Sequence, residues 1–359
     1  MQRVVSIAAA CLLAWAAGWA VWLALADAAF RAGELLRANL MAPHNPLYLA
    51  AMALQAEEEG TDPEPWLARI AAEYPTLSAP RIRLGLIAEQ RGDAAAAERW
   101  LLEAFAVDRQ FEPRWTLANF YLRQGRRDDF WQWLRKAFEV SSGDRTALFD
   151  LCWRAGSNLG EILERGVPPI EAVSVDLLRY VVGRGLVDAV ASVAARVQSP
   201  AALLEATDFL LDHGRFGEAI TTWVRAGRAP PQGVTAPRFE SPQSGRGFDW
   251  RRSAADGVST QLLDQGGLRV ALSGRQAESG ELLRQFVGGL RPGRYRLQWT
   301  AAGRVPPGLV WRFNGQQVSG PFKATATGGI LSLHYERPRG EMRAEASFEL
   351  REVRLLALE

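Results

Sequence analysis

The chain has 359 residues, of which 48% are apolar and 13 are tryptophan, and its formal net charge is +2. That apolar mass is enough for more than one core, which excludes a disordered chain and a disulfide-stapled miniature domain. Two cysteines, Cys11 and Cys152, and three scattered histidines, His44, His213 and His334, offer no disulfide framework and no metal spacing, so no metal and no cofactor are expected.

Val4 to Ala26 runs 23 residues without a charge, between Arg3 and Asp27. At about 1.5 Å per residue such a helix matches a hydrocarbon core of about 30 Å. Three readings compete: an uncleaved anchor, a signal peptide cut after Ala24-Leu25-Ala26, and a lipoprotein modified at Cys11. The length of the run and the bulk of Trp15, Trp19 and Trp22 favour the anchor. Arg3 and the amino terminus favour the cytoplasmic side for the start of the helix, which leaves the body outside the cytoplasm. In a Gram-negative bacterium that is an inner-membrane, single-pass protein with its soluble domains in the periplasm.

Residues 44–227 are rich in Ala, Leu, Arg and Glu, with apolar residues at three- and four-residue spacing, which predicts helices. The segment repeats itself. With an offset of 33, Leu84-Gly85 falls on Leu117-Ala118, Ala88 on Tyr121, Gly92 on Gly125, Ala97 on Phe130, Leu101 on Leu134 and Ala104 on Ala137. Leu210, Gly214, Ala219, Trp223 and Ala226 keep the same internal spacing in a third copy over 203–227, and degenerate copies cover 46–75 and 146–197. In the last of these, Leu148, Cys152 and Gly156 echo a first helix. The small residue at Gly85 is where paired helices would touch, and Gly92 would end the first helix. Such pairs leave an apolar face open and must stack on the next.

This pattern resembles the tetratricopeptide repeat, whose concave groove is lined by first-helix residues. The resemblance implies a protein partner held there, at Ile82, Leu86 and Glu89 of one copy and Trp115, Asn119, Leu122 and Arg123 of the next. Asn119 occupies a place that the family's peptide-carboxylate clamps also use, but the clamp's lysines are missing. Leu86, Trp115 and Leu122 are equally suited to packing against neighbouring helices.

Residues 228–247, RAPPQGVTAPRFESPQSGRG, hold four prolines and three glycines and cannot continue a helix. The expected division is an anchor at 1–30, a helical repeat domain at 31–228, a linker at 229–246 and a β-domain at 247–359. In that last part the apolar period changes to two: Leu268, Val270 and Leu272; Tyr295, Leu297 and Trp299; Leu331, Leu333 and Tyr335. Phe348 and Leu350 give way to Val353 and Leu355, a change of phase that predicts a bulge. About eight short strands forming an antiparallel β-sandwich are expected. Phe239-Glu240, Gly247 to Arg251, Gln285-Phe286-Val287, Pro292 to Tyr295 and the closing Phe348 to Leu356 resemble the jelly-roll family of galactose-binding-like and carbohydrate-binding modules.

Charge follows the same division. Residues 27–237 carry 23 basic and 28 acidic residues, a net of −5, and residues 238–359 carry 18 and 12, a net of +6. A basic domain suits anionic polymers or lipid headgroups, and equally a solvated arginine-rich surface. No arginine cluster typical of nucleic-acid modules appears, so nucleic acid is not an expected partner.

No Ser-His-Asp or Cys-His arrangement and no phosphate-cradling loop is suggested, and the Glu57-Glu58-Glu59 run reads as a solvated helix end, so the chain is not expected to be an enzyme. Trp250 and Trp311, with Arg312, are candidates for stacking on a glycan, the alternative being that Trp250 and Trp311, like Trp299, belong to the sandwich core. The whole chain resembles single-span bacterial tetratricopeptide-repeat proteins with a C-terminal sandwich that are associated with exopolysaccharide assembly and export. The resemblance implies a non-catalytic scaffold holding protein partners at the inner membrane. The alternative is a carbohydrate-binding protein in which the sandwich takes the glycan and the repeats are a spacer.

The uncharged run generates the first prediction. The full-length protein should pellet with membranes and resist alkaline carbonate extraction, while a chain starting at Asp27 should stay in the supernatant. N-terminal sequencing that finds a mature chain beginning at Asp27 would replace the anchor with a processed leader.

Overall fold

A computed structural model describes residues 2–156, 158–240 and 244–358. By compactness the chain divides between Pro168 and Pro169 into two units, 1–168 and 169–359.

The first unit opens with α1 (Gln2–Arg31). Its portion Ala9–Arg31, with a mean hydropathy of 1.8 over an 18-residue window, is long and apolar enough to cross a membrane. Gly33, at φ +81°, ends it, and the Glu34 amide donates back to the Ala29 carbonyl at 2.9 Å. The chain then reverses into α2 (Leu35–Met41), which packs Ala38 against Ala26 and Ala29 in a small cluster completed by Tyr48.

Three helix pairs follow: α3 (Pro46–Glu58) with α4 (Glu64–Glu73), α5 (Ala79–Gln90) with α6 (Ala94–Val107), and α7 (Phe111–Arg123) with α8 (Arg127–Val140). Each helix packs on the next in sequence. Local chemistry sets their starts: Asn45 accepts from the Leu47 amide at 3.0 Å ahead of Pro46, and Asp93 accepts from the Ala96 amide at 2.9 Å. Their ends are set by the expected glycine. Gly92 (φ +82°) lets the Asp93 amide reach the Ala88 carbonyl, and Gly125 (φ +71°) lets the Arg126 amide reach the Tyr121 carbonyl. The helices touch where the repeat requires a small residue. A Cβ added to Gly85 would lie 2.8 Å from the Leu101 side chain, and Ala118, its counterpart, is fully buried.

The degenerate copy departs from the pattern. α9 (Thr146–Ala155) is followed by the single turn α10 (Leu159–Glu161) and a π-helical turn, Ile162–Gly166. The turn brings Gly166 against the Trp131 ring, where an added Cβ would stand 2.7 Å away. Cys152 on α9 is fully buried, and burial pushes its thiol up.

The second unit holds α11 (Glu171–Gly183), α12 (Val187–Ala194), α13 (Pro200–Asp212) and α14 (Phe216–Arg225), followed by the β-domain. Its ten strands are β1 (Arg251–Arg252), β2 (Val258–Leu262), β3 (Leu268–Ser273), β4 (Ser279–Gly288), β5 (Gly293–Gly303), β6 (Leu309–Phe313), β7 (Gln316–Gln317), β8 (Phe322–Ala324), β9 (Gly328–Glu336) and β10 (Glu345–Leu358). They form two antiparallel five-stranded sheets, ordered β1-β4-β9-β6-β7 and β2-β3-β10-β5-β8. A single core joins the sheets, with Leu283, Trp311, Leu331, Leu333 and Tyr335 from one and Leu268, Val270, Leu272, Phe348, Leu350 and Val353 from the other. The expected change of phase is a bulge: the β10–β5 register slips between Leu350 and Glu352.

The two sheets differ in what covers their outer faces. From Gly293 to Thr300, β5 alternates between buried or half-buried residues and exposed ones, as a strand with one wet face should. In β4, by contrast, Leu282, Leu283 and Val287 belong to the core between the sheets, while Phe286, outside that core, is buried as well because α14 covers it. Phe216 meets Phe286 with ring centroids 6.3 Å apart, and Trp223 meets Phe248 edge-on at 5.7 Å. Gly247 and Gly328 have no room for a side chain beside the Trp223 and Phe216 rings, respectively. Asp208 on α13 accepts from the Gly247 amide at 2.6 Å and from Arg251 at 2.5 Å. Burial dominates both charges, pushing the Asp208 carboxyl up and the Arg251 guanidinium down against their mutual attraction. Such a pair fixes the docking geometry more than it stabilises the fold.

The segment expected as a linker at 229–246 is irregular, but its described part is seated on the β-domain; residues 241–243 lie outside the described residues. Gly233 bridges to Gly288, the Gln285 amide exchanges bonds with Thr235, and Phe239 is a buried member of the core. Proline and glycine here shape a fitted strap instead of a free tether, and the helices that precede it belong to the same compact unit.

The tight contact at Gly85 generates the second prediction. Gly85→Leu should lower stability by about 1–3 kcal/mol through overpacking against Leu101, read as a fall in the thermal midpoint. The same substitution at Gly92, where no atom lies within 4 Å of an added Cβ, should act through the positive φ alone.

Candidate functional site

The first helices of the first two repeats, α3 and α5, face each other across a groove. Glu57 on α3 and Arg83 on α5 form an ion pair across it and divide it into two clefts. Toward the helix N-termini the cleft is apolar, about 500 Å³, and lined by Leu47, Ala50, Leu54, Leu67, Leu77 and Pro80. Leu47, Ala50 and Leu54 sit at i, i+3 and i+7 of α3, one stripe of a helix. Leu47 and Leu54 remain 67% and 55% exposed, and Leu77 40%, so among the described residues no element covers the stripe. Toward the C-termini the cleft is polar, about 590 Å³, with Asp62, Leu86, Gln90 and Arg91 on its walls. Arg91 is tied to Asp62 at 2.9 Å and to Glu64, and these two carboxylates raise its affinity for the proton further.

The expected groove residues are brought together in part. Leu86 lines the polar cleft. Glu89 and Arg123 join α5 to α7 through a two-pronged ion pair, 2.8 and 2.7 Å. Asn119 donates to the Trp115 carbonyl of its own helix at 2.9 Å, and Trp115 stacks on Phe111 with centroids 5.9 Å apart. Trp115, Asn119 and Leu122 are half-buried. The open apolar surface therefore lies one repeat earlier than expected. The Leu47-Ala50-Leu54 stripe was visible at helical spacing, but it sits in a degenerate copy that the alignment ranks low. Glu57, expected in a solvated run, is instead the residue that closes the groove's middle.

In the β-domain the two candidate tryptophans take the core alternative, and the possible glycan site at Trp250, Trp311 and Arg312 is corrected. Trp250 is 1% exposed and Trp311 4%, and their rings meet edge-on at 6.4 Å inside the core. A sugar has no access to either face, because alternation places both side chains between the sheets. Arg312 bonds to Glu336 at 2.5 Å. Ser332 and His334 share an edge at 2.9 Å, but the histidine nitrogen that meets the serine, Nε2, is also the one nearest Glu281, at 4.0 Å. A nucleophile–base–acid relay needs the carboxylate on the other ring nitrogen, so this trio is not one. Among the described residues, no group of three or more His, Cys, Asp or Glu side chains could hold a metal ion.

The buried tryptophans generate the third prediction. Trp250→Ala should cost about 3–5 kcal/mol and broaden or abolish the β-domain's thermal transition. Any change in retention on immobilised glycans should track the loss of folded protein.

No family model matches the sequence, and the comparison with curated proteins found no match. Solved structures with which it shares a partial likeness include a tetratricopeptide repeat protein from Parabacteroides merdae (14% identity, 58% of this chain and 84% of that one, TM-score 0.29) and the MamA protein (13%, 55% and 94%, 0.29). The Cut9–Hcn1 hetero-tetramer of the APC/C gives 15% identity over 58% of this chain at a TM-score of 0.27, and the chain spans 39% of that structure's length. At such values the helix pairs and sheets rest on their own geometry.

Proposed function

We propose that the protein is a non-catalytic, membrane-tethered scaffold that holds a segment of another protein in the groove of its first repeats. The observation that carries this reading is the uncovered leucine stripe of α3 facing α5, adjoining a polar cleft across the Glu57–Arg83 pair. An amphipathic helix laid in the groove would bury Leu47 and Leu54 and set its polar side against Gln90 and Arg91. Leu86, Glu89, Trp115, Asn119, Leu122 and Arg123 extend the same surface toward α7. The apolar α1 supports placement at a membrane, and Arg3 ahead of its uncharged run supports a periplasmic body on the inner membrane. The link to exopolysaccharide assembly rests on the resemblance of the whole architecture.

The fourth prediction tests the groove. A photo-crosslinker placed in the full-length protein in membranes at position 54 or 86 should give one shared adduct, which a crosslinker at Glu103, exposed on α6, should not. Leu47→Glu with Leu54→Glu should reduce the adduct at position 86 about tenfold while the thermal midpoint stays within a few degrees, because both side chains are already exposed. Equal adduct yield at 54 and 103, or an unchanged adduct in the double variant, removes the groove reading.

A further inference from the structure

We infer that α2 and the corner that follows it lie in the membrane interface, with Leu36 and Leu40 inserted among lipid chains. The inference rests on α1 crossing the bilayer and concerns what the soluble side of that crossing touches. After Gly33 the chain does not leave the membrane end of α1 but runs back along it. The Trp22 indole donates to the Met41 carbonyl at 2.8 Å, so the last residue of α2 stands level with Trp22. Trp22 lies one turn inside Ala26, the end of the uncharged run, a depth of about 6 Å. Ala38 on Ala26 and Ala29 locks that position, with all three buried.

The outer side of α2 fits this depth. Leu36 and Leu40, one turn apart, are 62% and 72% exposed, a surface that water disfavours and lipid does not. The charges nearby are paired with each other, Arg37 with Glu34 at 2.9 Å and Arg31 with Asp27, and arginine stems can reach up to the headgroups. A short helix with leucines on one side and an arginine beside them, level with an interfacial tryptophan, has the chemistry of an in-plane lipid contact. The occupant is the bilayer itself, because this apolar surface is continuous with that of α1, where Trp19, Leu23 and Leu25 are also exposed.

The test uses the full-length Cys11→Ser protein in phosphatidylcholine–phosphatidylglycerol vesicles, with a bimane label on a single cysteine introduced by Leu12→Cys, Leu36→Cys, Leu40→Cys or Glu103→Cys. Cys152 is fully buried and stays unlabelled. Labels at 36 and 40 should be quenched by lipids brominated near the headgroup and be about threefold less sensitive to aqueous iodide than the label at 103. Iodide sensitivity at 36 and 40 equal to that at 103, with the label at 12 quenched by brominated lipid, overturns the inference and leaves the span intact. Shielding at 36 and 40 from both quenchers also overturns it, since protein would then cover the leucines. A label at 12 that no brominated lipid quenches removes the span and the inference together.

Discussion

A stacked pair of helices buries one face on its own partner and leaves another for a neighbour, so a run of such pairs must end on something. In the second unit the terminus is a β-sheet. Phe216 and Trp223 of α14, which would meet a further helix, meet Phe286 and Phe248 instead, and the glycines at 247 and 328 provide the clearance. This docking accounts for the lost alternation in β4 and for the compact grouping of the last helices with the sandwich. It also accounts for the fitted course of the proline-rich segment. The ionic contact at Asp208 and Arg251 adds register to a contact whose energy is mainly aromatic.

The open surface of the repeats follows from the same requirement. Where α3 faces α5, no side chain among the described residues fills the apolar cleft, and the leucines of α3 keep their water. Where α5 faces α7, Glu89 and Arg123 close the approach. Two neighbouring inter-helix gaps of similar geometry thus differ in chemistry, one open and apolar and the other clasped by charge.

Much of this organisation is legible in the residues. The offset of 33 places Gly92 and Gly125 at the ends of α5 and α7, and the crowding at Gly85 follows from the small residue there. The slip of phase after Leu350 marks the bulge to the residue. What escaped the sequence depends on contacts distant along the chain. Gln285-Phe286-Val287 carries the jelly-roll resemblance, but nothing local in it tells that α14 covers Phe286. Proline content marks 229–246 as irregular, while the seating of Phe239 in the core depends on a cavity made by strands that come later. Trp250 and Trp311 have the right chemistry for a sugar and the wrong side of the strand. The groove lies in a weakly matching repeat, where Leu47 and Leu54 stay exposed instead of packing on a neighbouring helix.

The burial of Cys152 has a consequence for where such a protein can work. Its sulfur is enclosed by α9 and its neighbours, and the surroundings disfavour the thiolate that exchange chemistry requires. The other cysteine, Cys11, lies on α1 within the apolar run. Among the described residues beyond α1, the folded chain has no exposed thiol to offer to an oxidant or to another chain. The packing around Cys152 is therefore indifferent to the redox poise of its surroundings.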